Sequence, residues 1–516
     1  MLLALLHVFA LVFGIAVPSA APGPEMGGET LQNFKRYYGT YKDTPSRVEA
    51  ILTLEGVDET GVVEVLLPKL KDPDAEIVRA SVRVLASFKS RPPVDALLAT
   101  LKADKNEAMR VGILRALADG KYADTAEAVG LCLADKSWEV RRRALHAIVA
   151  TGGADVPERI LPLCSDAEPA VRCSALDALT ALASDKAVQP AIALLSDPVW
   201  QVRKSAVDAL TKLRSKDAVQ PLIARLEIEE GVLVPEMAEA LANLTGKEFG
   251  ADVAKWKAWW AESGPTFTLP DAGAIAYLRQ KREARTGPAR STFEKSGVAE
   301  FTGIQTKSRS ILFVIDVSGS MEALVTEKQR FEGGNYPSYA RIDIVKTELQ
   351  RTIDHLEPFV NFNVLSFATD IDPWKKQLVP ANILNKSAAK EWVGRLQAIG
   401  GSSKEDLASV GLAGSASLEK GKTNTYGALM AALQVKPDAK PGDKGYMVDV
   451  DTIFFLSDGR PTVGGFVDPD DILREVAAAN DLRKVVIHTI AIGEFQKDFM
   501  RKIAEQNRGV FVDLGK

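Results

Sequence analysis

Residues 308–322 read SRSILFVIDVSGSME. An apolar run long enough for one buried strand, Ile311 to Ile315, is closed by Asp316, Ser318 and Ser320, three oxygen donors at every second position. A continuous apolar run bounded by polar residues is the signature of a strand covered on both faces, as in a parallel sheet. Four later segments repeat the pattern: FNVLSFA (362–368), TIFFLSD (452–458), VVIHTIAIG (485–493) and GVFVDL (509–514). Amphipathic helical segments such as YARIDIVKTELQRTIDHL (339–356) and DPDDILREVAAANDLRK (468–484) lie between them. Strands alternating with helices predict an α/β doubly wound, mostly parallel sheet, Rossmann-type in its layering, over residues 307–516. In such sheets ligands gather outside the carboxyl ends of the strands.

Two of these strands end in oxygen donors at that edge. The first gives Asp316, Ser318 and Ser320, and TIFFLSD gives Asp458. Between them EKGKTNTYGALMAAL (419–433) sets Thr423 and Thr425 just ahead of a helix. Hydroxyls and carboxylates converging from three loops suit a hard cation such as Mg2+, which takes oxygen ligands and keeps several waters. Turn and cap formation is the plainer use of the same residue types.

The order of these residues, an Asp-x-Ser-x-Ser closing a strand, a Thr loop before a helix and a strand-ending Asp, resembles the metal-ion-dependent adhesion site of von Willebrand factor A domains. The resemblance runs from about residue 307 to the C-terminus. It implies Ser318 and Ser320 as direct hydroxyl ligands of Mg2+, with Mn2+ or Ca2+ as substitutes, and Asp316 and Asp458 acting mainly through waters. It implies Thr423 as the third-loop ligand, with Thr425 as the alternative because Lys422 stands where the family has a second glycine, after the long loop 400–421. It also implies a protein partner that supplies an Asp or Glu carboxylate to the metal.

Upstream the periodicity changes. Val78-Arg79, Met109-Arg110, Val140-Arg141, Val171-Arg172 and Val202-Arg203 follow one another at 31-residue steps. Asp104, Asp135, Asp166 and Asp197 keep the same step, six residues ahead of each Arg. In DKAVQPAIALLSDPVWQVRKSAVDALTKL (185–213), Val202, Ala206, Ala209, Leu210 and Leu213 form a helical stripe, and Asp197-Pro198 reads as a helix start. Such a helix pair cannot bury its apolar face alone, so the copies are expected to stack as an all-α solenoid. The segment 30–262 resembles the short HEAT-like repeats. The repeated Arg and Asp fit an ion-pair and capping ladder better than a ligand row. GVLVPEMAEALANL (231–244) reads as a degenerate sixth copy, and Trp256, Trp259 and Trp260 as an apolar lid on it. Residues 263–306 read as a linker with one short helix.

Composition narrows the function classes. The formal net charge of −4 over 516 residues supplies no basic field for nucleic acid. Cys132, Cys164 and Cys173, an odd set at helical positions, are expected to be buried free thiols rather than a disulfide framework. The N-terminus MLLALLHVFALVFGIAVPSAAPGPEM, with small residues Ser19, Ala20 and Ala21 after the apolar stretch, reads as a signal peptide over 1–21 and implies an exported protein of the periplasm, envelope or extracellular space. If uncleaved, the segment would be a membrane anchor. The four histidines are scattered, and neither a nucleophile elbow nor a phosphate-binding GxxxxGK[ST] occurs. The expected class is therefore a non-enzymatic binding protein with no small-molecule substrate. The alternatives are an intracellular scaffold for a motor ATPase, or a metal-dependent or lyase-like enzyme.

Overall fold

The computed structural model describes residues 24–152, 155–271, 273–278, 280, 299–301, 304–399, 420–436, 444–458, 460–493 and 497–514. The expected signal peptide and most of the 400–421 loop lie outside the described residues. By packing, the chain divides into two compact units, 1–184 and 185–516, each described by itself below.

The first unit is helical throughout its described residues, built of short paired helices such as Ala75–Leu85 with Arg91–Ala103 and Trp138–Thr151 with Val156–Ile160. The 31-residue period becomes a ladder of side chains. Arg110 pairs with Asp135, one copy on, and Arg141 grips Asp166 through two bonds of 2.8 and 2.7 Å. The aspartate's Oδ1 also accepts from the backbone two residues later, Ser137 N at 2.7 Å and Glu168 N at 2.8 Å. The arginine's Nη1 returns to its own turn, as Arg141 does to Asp135 O at 2.8 Å and Arg172 to Asp166 O at 2.9 Å. One carboxylate thus caps a turn and anchors the previous copy, the structural role expected of the repeated pair. All three cysteines are buried and none is in a disulfide.

The second unit opens with two further helix pairs of the same kind. Asp197 accepts from Val199 N at 2.9 Å, but the helix begins at Trp200. The expected helix start at Asp197-Pro198 is therefore two residues early: the carboxylate caps the turn leading into the helix, as Asp135 and Asp166 do in their copies. The ladder continues with a substitution. Arg203 pairs at 2.9 Å through both bonds with Glu229, which Arg225 also reaches at 2.8 Å. The degenerate copy forms the helix Leu233–Thr245, and the helix Val253–Ser263 follows it. On that last helix Trp256 is fully buried, edge-on to Phe249, and its indole donates to Gly250 O at 2.8 Å. Trp259 and Trp260 pack around Phe267, beyond the end of the helix, so Trp256 is the buried member of the expected lid.

The linker holds a helical stretch at 273–278 and, unexpected from its sequence, an antiparallel hairpin of β1 (Ala299–Phe301) and β2 (Ile304–Thr306). Beyond it lies the sheet, formed by β3 (Ser310–Asp316), β4 (Asn361–Phe367), β5 (Ile371–Pro373), β6 (Val379–Pro380), β7 (Thr452–Ser457), β8 (Val486–Ala491) and β9 (Phe511–Asp513). The order is β5-β4-β3-β7-β8-β9, with β6 also on β4. All five predicted runs are strands and pair in parallel; β5 and β6 are short antiparallel additions at the β4 edge.

Alternation along β3 sends side chains to opposite faces. Ile311, Phe313 and Ile315 join Ile344, Val345 and Leu349 of the helix Arg341–His355 on one side. Leu312 and Val314 join Leu429 of the helix Thr425–Ala432 and Ile472 of the helix Pro469–Asn480 on the other. Phe313 stacks on Phe454, and Phe367 on Phe455, at 5.5 and 5.3 Å between centroids. From β3 the chain first adds β4 on one side and later β7 on the other. Strand order therefore reverses at β3, and the carboxyl ends of β3 and β7 flank the crevice where such sheets bind ligands.

Candidate metal site

Asp316 is the last residue of β3 and is fully buried. Its Oδ1 accepts from Ser318 N at 2.8 Å and its Oδ2 from Ser457 Oγ, at the end of β7, at 2.5 Å. Both carboxylate oxygens are thus held, one by the following loop and one by the neighbouring strand. Asp458, one residue past β7, is 2 % exposed and accepts from Ser320 Oγ at 2.7 Å. Ser318 Oγ lies 3.2 Å from Ser320 Oγ. Because the single hydroxyl proton of Ser320 goes to Asp458, Ser318 is the donor of that pair, giving a chain Ser318 to Ser320 to Asp458. Ser320 itself stands at the exposed mouth.

The third loop reaches the same edge through its backbone. Gly319 N donates to Gly421 O at 3.1 Å, which ties the serine loop to the threonine loop. Thr423 N donates to Thr462 Oγ1 at 2.8 Å, and Thr423 O accepts from Thr462 N at 3.0 Å. Asn424 caps the helix Thr425–Ala432 by accepting from Gly427 N at 2.9 Å. Thr425 is the first residue of that helix; its buried hydroxyl has no hydrogen-bond partner among the described residues. The structure thus joins Asp316, Ser318, Ser320 and Asp458 in one cluster and sets Thr423 beside it on a loop pinned to theirs.

One site residue escaped the sequence reading. Arg341, the first residue of the helix Arg341–His355, forms an ion pair with Asp458 through Nη1. The same nitrogen lies 3.5 Å from Ser320 O. Its partner is 117 positions away in the chain, so no local pattern could have marked it. Burial, and after it the Asp458 carboxylate, push Asp316 up to about 7. Among the described residues no three His, Cys, Asp or Glu side chains group as metal ligands. A cation at this edge would therefore depend on hydroxyls as well as the two carboxylates.

A family model described as von Willebrand factor type A domain matches residues 337–513, and one described as HEAT repeats matches 42–118 and 157–242. The chain carries HEAT repeats and a von Willebrand factor A domain. Among curated proteins it is similar to human inter-alpha-trypsin inhibitor heavy chain H4, 27 % identical over 209 residues, or 40 % of this chain and 18 % of that one. Heavy chain H2 of Mesocricetus auratus is 25 % identical over 248 residues, 48 % of this chain and 22 % of the relative. The chain thus spans about a fifth of the length of these relatives. Among solved structures, a von Willebrand factor type A protein from Catenulispora acidiphila is 20 % identical, covering 41 % of this chain and 39 % of its own, at a TM-score of 0.25. The mussel byssus proximal thread matrix protein 1, solved with a zinc-occupied MIDAS motif, is 14 % identical over 40 % of this chain and 44 % of its own, at a TM-score of 0.25.

Within the von Willebrand factor A domain the histidines have structural roles. His488 of β8 stacks on Phe454 at 4.9 Å, and its Nδ1 accepts from Val510 N at 3.0 Å. Burial pushes it down to about 4, so it is neutral at pH 7. His355 bonds its own helix, with Nδ1 2.7 Å from Arg351 O.

Proposed function

We propose that the chain is a non-enzymatic binding protein whose von Willebrand factor A domain holds a divalent cation at the ends of β3 and β7 and recruits a partner protein through it. The observation that carries this reading is the hydroxyl chain Ser318–Ser320–Asp458 beside buried Asp316, reaching the exposed mouth at Ser320. The donor set consists of hard oxygens, and one of its carboxylates already attracts a cationic side chain, Arg341. Both features fit Mg2+, with Mn2+ or Ca2+ as substitutes.

Ser318, Ser320 and Thr423 would be the direct ligands. Asp316, its two oxygens held by Ser318 N and Ser457 Oγ, orients the serine loop and supplies charge from behind it. Asp458 orients Ser320. A cation held mainly by neutral hydroxyls keeps most of its charge and offers a coordination position to an incoming Asp or Glu carboxylate. The HEAT repeats, whose recurring Arg and Asp are used in bonding copy to copy, add an extended surface for partners. We further propose export, supported by the apolar segment Leu2–Val17 and the small residues behind it.

The test is retention of partners from envelope extract on the immobilised full chain, with Mg2+ or with EDTA, for the wild type and the Ser318→Ala/Ser320→Ala double variant. The same proteins should be lost on chelation and in the variant. A set of partners retained equally in EDTA would contradict the reading. Mass analysis of the N-terminus tests export: cleavage near residues 19–21 is expected, and an intact Met1 in a cytoplasmic fraction would contradict it.

A further inference from the structure

The Arg341–Asp458 pair lies outside the strand pairing of the sheet, and its position is electrostatically odd. A cation in the first turn of a helix faces the positive end of the helix dipole, so the helix Arg341–His355 gains nothing from an arginine at its first position. The side chain is instead drawn to Asp458, whose own side chain is wholly buried while that of Arg341 is 12 % exposed. The backbone is fixed, because Arg341 N donates to Ala323 O at 3.0 Å just beyond the serine loop. The guanidinium is less well held. Its Nε is buried without a hydrogen-bond partner among the described residues, an arrangement that makes the pose costly to keep. A side chain at Gly493, just past β8, would come within 3.3 Å of Arg341 Cζ and 3.4 Å of Asp458 Cβ. The glycine leaves the guanidinium its slot.

We propose that Arg341 is a tethered counter-cation of this site: it neutralises Asp458 in the metal-free protein and swings toward solvent when a divalent cation binds, so that it sets the site's metal affinity. The inference rests on the metal reading above and adds a residue and a direction to it. Asp316 and Asp458 together carry a charge of −2 when ionised. Arg341 offsets half of it, a divalent cation offsets all of it, and both at once would place two like charges beside one carboxylate at low effective dielectric. Leaving Asp458 buried with no cation is the costlier state, which is why a tethered one is retained. The fixed backbone and partly exposed side chain mean that exchange requires rotamer changes of one residue and no movement of the helix.

The test is Mg2+ titration calorimetry on the full chain after EDTA treatment and dialysis, comparing wild type with Arg341→Met, and a melting curve of each in EDTA. The variant should bind Mg2+ at least about tenfold more tightly, the factor that 1.4 kcal/mol of released competition represents, and should melt several degrees lower in EDTA. Added Mg2+ should then recover more of its melting temperature than of the wild type's. Mg2+ binding by the variant alone supports the role of Arg341 but contradicts the metal-dependent recruitment proposed for the wild type. Unchanged or weaker affinity in the variant, with the wild type binding, overturns the role of Arg341 and leaves the metal reading standing. Binding by neither overturns both. Should Arg341→Met fail to fold, Arg341→Lys, which keeps the charge and loses the planar fork, is expected to bind more tightly than wild type by a smaller factor, and equal affinity overturns the proposal.

Discussion

The repeats and the sheet edge use the same pair, an arginine on a carboxylate, in opposite ways. In the repeats both oxygens of Asp166 are committed, one to a backbone N–H of its own turn and both to the forked guanidinium of Arg141. The pair recurs from copy to copy, and nothing remains to bind a third party. At the sheet edge Asp458 shares its charge between a serine hydroxyl and a single arginine nitrogen, with the other serine of the motif adjacent. The first arrangement is closed and structural; the second is exchangeable. Partner count, more than residue type, separates a scaffold ion pair from a binding site.

Removing a ladder carboxylate should be the largest break. Asp166→Ala takes a cap from Glu168 N and leaves Arg141, 15 % exposed at its side chain, without its carboxylate and with only backbone carbonyls to bond. We expect a loss of about 3 kcal/mol, read as a lower denaturation midpoint of the helical transition, with Mg2+ affinity unchanged. A change in Mg2+ affinity would erase the distinction between the two regions.

Acid should act on the sheet half through His488, in opposition to Asp316, whose raised folded value makes its own contribution grow as pH falls, so the His488 effect is read as the difference between wild type and variant. Burial lowers its folded value to about 4 from 6.5, so the unfolded chain binds more protons between these values and stability falls as pH falls through that window. Stability from this group is fully present above 6.5 and is reduced by on the order of 3 kcal/mol at pH 4. His488→Asn keeps an acceptor for Val510 N and should gain stability relative to wild type between pH 6.5 and pH 4 when urea midpoints are compared. An identical pH dependence in wild type and variant would contradict this role of His488.

The exposed pair Arg83–Glu55, with side chains 64 % and 38 % exposed, should matter least. Arg83→Ala is expected to cost under about 1 kcal/mol by the same urea measurement; a cost like that of Asp166→Ala would mean that position in the repeat, rather than burial, sets the strength of these pairs.

Much of this was legible in the sequence for physical reasons. The ladder was readable because identical positions one period apart must meet when copies stack. The parallel strands were readable because burial on both faces demands unbroken apolar runs, as in Ile311–Ile315. Asp316, Ser318, Ser320 and Asp458 could be grouped because strand ends in such sheets share an edge. What escaped lacked a local signal. The β5 and β6 strands span only three and two residues, each with a proline, at an antiparallel edge, and the hairpin at 299–306 is stabilised by pairing rather than by an apolar pattern of its own. The helix after Asp197-Pro198 starts two residues later than its sequence suggests, because a carboxylate that caps the turn ahead of a helix resembles one that caps the helix itself. Arg341 required the tertiary approach of β7 to the helix Arg341–His355.

The most direct measurement is Mg2+ titration of the full chain by calorimetry, wild type against Asp316→Ala, with a melting curve of each to confirm that the variant folds. The account predicts one saturable site per chain in the wild type and none in the folded variant. Equal Mg2+ affinity in both proteins would contradict it.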